Sequence, residues 1–87
     1  MIEFDPDKAA SNLRKHKVSF AHAEQALRDP LAFTMDDPDS DGELRLITLG
    51  MDSLGRLLIV VHTPSGERVR IISAPKASRG ESEHYHA

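Results

Sequence analysis

Cysteine is absent from this 87-residue chain, so disulfides and thiolate chemistry are excluded, and the absence fits a reducing compartment. Long apolar runs are missing too. The longest, Leu57–Val61, is far too short to cross a bilayer, and no signal peptide opens the sequence. The expectation is a cytoplasmic domain without membrane contact. No glycine-rich phosphate loop, nucleophile elbow or paired-carboxylate motif occurs, which removes the common nucleotide-binding and hydrolase signatures. A chain this short makes one domain that buries only about two-thirds of its unfolded surface, so its core is thin.

What is present is charge, unevenly placed. The net charge of −3 argues weakly against a dedicated nucleic-acid binder. Its distribution argues differently. The acidity concentrates in Asp36–Glu43 (DDPDSDGE), whereas the segment after Gly66 carries Arg68, Arg70, Lys76 and Arg79 against Glu67, Glu81 and Glu83. The whole-chain value therefore conceals a basic edge.

The local patterns predict an α+β fold. Asp5-Pro6 starts a helix that runs to Lys15 or His16, with Asp5 as N-cap and Pro6 where a missing N–H costs nothing. Lys8, Asn12 and His16 line up on it as a polar stripe, either a solvated face or a binding face. Ser19 caps a second helix, and Asp29-Pro30 stops it. Strands are expected at Leu31–Met35, Leu44–Leu49, Arg56–Thr63 and from Arg68 onward, with Pro64–Glu67 as a four-residue hairpin loop pairing Thr63 with Arg68. Ser78-x-x-Glu81 is a capping box for a short C-terminal helix that Gly80 weakens. The simplest assembly is two N-terminal helices packed on a four-stranded antiparallel sheet, followed by that helix.

Two metal motifs fail on inspection. Asp37-x-Asp39-x-Asp41-Gly42 copies half of an EF-hand loop, but the twelfth position is Thr48, inside a predicted strand. His84-x-His86 lacks a second ligand pair at zinc spacing. No metal or cofactor is expected.

The remaining chemistry lies in Arg68–Arg79 (RVRIISAPKASR), where β-branched residues carry a strand up to Pro75 and cations follow. Arg45, Arg70, Lys76 and Arg79, with Glu81 and Tyr85 on the tail, form the candidate site. Metal-free RNA cleavage needs this inventory. The neighbouring 2′-hydroxyl attacks the phosphate, cations stabilise the phosphorane, and two protons move. The bland alternative is a set of exposed charges paired with nearby acids. The sequence places these cations around one concave edge, with the acidic loop away from it.

A resemblance bears on this choice. Phe4-Asp5-Pro6, Lys8, Asn12, Lys15-His16, Val18-Ser19-Phe20, Asp29-Pro30, Glu43 with Arg45, Gly50, Arg70-Ile71-Ile72-Ser73-Ala74, Lys76-Ala77, Glu81 and Tyr85 occur in order. This pattern resembles the BrnT family of type II toxins along essentially the whole chain. The resemblance implies a RelE-like fold and a ribonuclease that stops translation. It also implies neutralisation by a BrnA-like ribbon-helix-helix antitoxin, in a hetero-oligomer such as a heterotetramer that meets operator DNA only through the antitoxin. Three positions depart from the pattern: Lys17 where glycine is usual, Gly80 in a usually basic helical segment, and Pro75 where an arginine follows Ser-Ala. Pro75 removes a cation and an N–H, so an inactivated copy is expected. The alternatives are a non-catalytic toxin-fold co-repressor and an RNA- or ribosome-binding module without cleavage.

Overall fold

The computed structural model describes residues 2–86. Its elements run β1 (Ile2–Phe4), α1 (Pro6–His16), α2 (Phe20–Leu27), β2 (Phe33–Asp36), β3 (Leu46–Met51), β4 (Leu57–Ser65), β5 (Arg68–Ser73) and α3 (Arg79–His86).

Helix boundaries follow the caps. Asp5 Oδ1 accepts from Asp7 N at 2.8 Å, and Ser19 Oγ accepts from His22 N at 3.2 Å, each satisfying a first-turn donor. Lys17 ends α1 in the left-handed region at φ 60°, donating its N–H to Leu13 O. A non-glycine residue there carries strain of about 1 kcal/mol. The capping box at α3 forms in both directions: Ser78 N donates to Glu81 Oε1 at 2.7 Å and Glu81 N to Ser78 Oγ at 3.2 Å.

The sheet departs from the expected meander. It has five strands in the order β1-β5-β4-β3-β2, and β1 joins the edge parallel to β5, with Ile2, Glu3 and Phe4 opposite Val69, Arg70 and Ile71. Three residues are too few to show a period, and their partner lies at the far end of the chain, so no local signal announces this strand. The hairpin is also tighter than expected. Thr63 pairs with Arg70, Pro64 with Val69 and Ser65 with Arg68, leaving Gly66-Glu67 as the turn with Gly66 at φ 64°. Glycine at the first central position with positive φ suits a type II′ hairpin. The shift from the expected pairing is two residues, so the inward and outward faces are unchanged. A bulge between Val61 and His62 then carries the chain on to Ala74.

α1 and α2 cover one face. Val18, Phe20, Ala23 and Ala26 meet Leu58, Val60, Ile71 and Ala74 in the core. Full burial of each large side chain contributes about 1.5–3 kcal/mol. Gly50 lets α2 come close, since a Cβ there would stand 2.2 Å from Ala26 O.

Polar groups lock the layers together. Asn12 is buried, donating Nδ2 to Val18 O (2.9 Å) and Ala74 O (3.1 Å) while Oδ1 accepts from Ala74 N (2.9 Å). Within the Lys8–Asn12–His16 stripe, Asn12 is therefore neither solvated nor free to bind: it ties α1 to the end of β5. Arg56 ties the β3–β4 turn to the helices. Its guanidinium lies 2.7 Å from Asp52 Oδ2, donates to Lys17 O at 2.8 Å, and contacts His22 Nδ1 at 3.2 Å.

Candidate active site

β5 alternates between the two faces. Ile71 is inside the core and Arg70 is exposed on the opposite face, where Glu3 of β1 stands beside it in register. Arg70 Nε lies 3.6 Å from Glu3 Oε1, and Ser65 Oγ donates to the same oxygen at 2.5 Å. The Ser65 hydroxyl, ahead of the contribution from Arg70, holds the Glu3 carboxyl below its ordinary range despite some desolvation. So the guanidinium that a central strand could not bury alone is solvated and paired.

Arg45 lies just before β3, at the same end of the sheet. Its Nε is 3.2 Å from Asp37 Oδ2, although the N–H is not aimed at that oxygen, and Nη2 donates to Asp39 O at 3.3 Å. Arg45 and Arg70 share a cleft of about 380 Å³ that runs from the acidic loop over Ile72 to Asp5 and Lys8 at the start of α1. Asp39, Asp41 and Glu43 line this cleft. The acidic loop thus lies against the basic edge, contrary to the expectation from charge repulsion. The reason is local. Asp37 N bonds Arg45 O and Asp37 pairs with the Arg45 side chain, so the loop folds back on the cation it precedes.

The other four residues sit elsewhere. Arg70 is opposite Thr63, and Lys76 bridges Leu58, five residues back along β4 or about 17 Å. Lys76 opens a separate hollow with Arg56, Ser82 and His86. Arg79 begins α3, and Glu81 and His84 border an apolar hollow of about 210 Å³ with Phe33, Met35, Ile47, Leu49 and Ile59. Tyr85 donates its hydroxyl to Asp29 Oδ2 at 2.5 Å, an oxygen that also accepts from Met51 N. That bond, with desolvation and the Asp29 charge, raises the Tyr85 pKa. The structure therefore brings Arg45 and Arg70 together and leaves Lys76, Arg79, Glu81 and Tyr85 outside their cleft, on α3 and the segment before it. One concave edge carrying all four cations is not what forms.

Pro75 lies between the groups. Ile59 N donates to Pro75 O at 2.9 Å, and Ala77 N donates to Leu57 O at 2.8 Å, so position 75 stands opposite Ile59 on the Arg70 face. The reciprocal bond to Ile59 O is impossible because proline has no N–H.

Asp5, Lys8 and Glu43 also belong to the cleft; Lys8 stands in the polar stripe of α1 and all three stand in the family pattern, but nothing in the sequence puts them together. Only their spatial convergence singles them out. Among the described residues no group of three or more histidine or acidic side chains is placed to hold a metal. No helix among the described residues is long and apolar enough to cross a membrane.

This architecture is similar to the crystal structure of the Brucella abortus ribonuclease toxin BrnT, with a TM-score of 0.69 and 27% identity over 90% of this chain and 96% of that one. The family model described as the ribonuclease toxin BrnT of type II toxin–antitoxin systems matches residues 4–81. The chain belongs to the BrnT family. A type II toxin has an antitoxin as its partner. No curated protein matches the chain.

Proposed function

We propose that this protein is a metal-independent endoribonuclease toxin that stops translation and is held inactive by a BrnA-like ribbon-helix-helix antitoxin. The observation that carries the reading is the family match across residues 4–81. The cleft supports the chemistry. Arg45 and Arg70 are placed to stabilise charge on the phosphorane once their own carboxylates give way, and a carboxylate of the same cleft supplies the base for the 2′-hydroxyl. In this reading the Lys76, Arg79, Glu81 and Tyr85 group contacts the RNA beyond the scissile phosphate, because about 17 Å separates Lys76 from Arg70.

Pro75 is proposed to disable this copy. An arginine at 75 would stand opposite Ile59, on the Arg70 face between the two groups. Removing one charge-assisted donor that acts in the transition state costs about 10²–10³ in rate. The test is expression of the chain and of Pro75→Arg without antitoxin, following growth and RNA integrity with and without EDTA. The variant is expected to arrest growth and degrade RNA in either condition, with folding stability within about 1–2 kcal/mol of the parent. Equal toxicity of both chains removes position 75 from the site. Two harmless but folded chains favour a non-catalytic co-repressor, and EDTA-sensitive cleavage ends the metal-free mechanism.

A further inference from the structure

The two arginines of the cleft already have carboxylate partners: Arg45 has Asp37 and Arg70 has Glu3. The lysines of α1 differ. Among the described residues, Lys8 and Lys15 make no ion pair and no side-chain hydrogen bond. Both are exposed on α1 and line a groove of about 280 Å³ between this helix and the end of β5.

Ser11 and His16 complete the helix side of the groove, Ser73 belongs to the strand side, and Asp7 is its one carboxylate. Asn12 also reaches the groove, but its amide is spent on Val18 and Ala74, so it fixes the wall rather than offering a contact. Lys8 lines both the groove and the Arg45–Arg70 cleft, which makes the two continuous. Lys8 and Lys15 are seven residues apart, about 10 Å along the helix axis, so one strand can lay two phosphates against them.

We infer that this α1–β5 groove is where the RNA backbone binds, with Lys8 and Lys15 as phosphate contacts and Ser11 and Ser73 as hydroxyl donors to phosphate oxygens. The inference rests on the ribonuclease reading and deepens it: the strand is gripped on α1 and led through Lys8 into the cleft. Unpaired cations favour a polyanion because no internal carboxylate has to be displaced first. An extended single strand suits a groove that continues into a cleft better than a folded acidic surface does.

The test measures fluorescence anisotropy of a labelled 2′-O-methyl single-stranded RNA of mixed sequence, which the 2′-hydroxyl mechanism cannot cut, over a series of salt concentrations. The Lys8→Gln/Lys15→Gln chain is expected to bind about tenfold more weakly, with the log–log salt slope reduced by about 1.4. Arg14→Gln, which removes a charge from the same helix outside the groove, should keep the parent's affinity to within about twofold. Circular dichroism melting confirms that each variant is folded. If the parent binds and the double variant binds equally well, the groove assignment is wrong and the ribonuclease reading stands. If the parent binds no RNA, both fall. If the double variant loses antitoxin binding but not RNA binding, the groove is a protein interface and the inference is overturned.

Discussion

Asn12 shows how much one polar side chain does in a thin core. It satisfies two carbonyls and one N–H that the α1–β5 junction would otherwise bury without partners. Each orphaned buried group costs about 1–3 kcal/mol, so Asn12→Ala should destabilise the fold by about 3 kcal/mol or more, read from urea unfolding. A loss below about 1 kcal/mol would mean that water replaces the amide. Lys17 works in the opposite direction. Its φ of 60° favours glycine, and its side chain reaches only Arg14 O at 3.3 Å. Lys17→Gly should raise stability by about 0.5–1 kcal/mol, the strain relieved exceeding the entropy glycine adds to the unfolded chain. Destabilisation by this change would show that the lysine has a role beyond ending the helix.

At the scale of elements, α3 is the most lightly attached. None of its residues is buried, and its described polar tether to the rest of the fold is the hydrogen bond from Tyr85 to Asp29 in the α2–β2 connection. Such a segment opens locally at little cost while the sheet stays closed. Tyr85→Phe should therefore speed amide exchange in α3 and leave β3 and β4 protected. Exchange that accelerates in the whole sheet would show that α3 is part of the global folding unit. β1 contrasts with it. It is only three residues long, yet Phe4 stacks edge-on against Phe20 at 5.7 Å and Glu3 holds Ser65 and Arg70, so it is fastened from both sides.

For the whole molecule, two acid windows follow from the displaced pKa values. Burial lowers the pKa of His62, whose Nε2 lies 2.8 Å from Thr48 Oγ1, so the folded state disfavours the imidazolium. The unfolded chain then binds more protons, and stability present above pH about 6.5 declines as pH falls below it. Burial raises the Asp29 and Asp52 carboxyls, but their hydrogen bonds, from Tyr85, Leu31 and Met51 and from Arg56 and Leu54 respectively, outweigh it and leave both lowered. Their contribution is complete above pH about 4 and is lost as pH falls through their folded values. Urea midpoints from pH 8 to pH 3 should thus fall in two stages, and His62→Gln should flatten the upper one. A single fall below pH 4 in the parent would show that His62 takes up its proton without penalty.

Local chemistry was legible in the sequence because it acts over a few residues. The caps at Asp5, Ser19 and Ser78, the stop at Asp29-Pro30, the central strand and the inward face of β5 all follow from short-range rules. The family was legible as well, since its motifs are contiguous. Tertiary structure alone decided which charges meet. The candidate cations divided because Arg70 and Lys76 lie six residues apart on an extended chain, which holds them far from each other however close they stand in sequence. The acidic loop joined the cleft because its pairing with Arg45 offsets the repulsion that composition suggested. β1 found its strand, and Lys8 its cleft, through contacts between opposite ends of the chain, and no local pattern encodes a partner that distant.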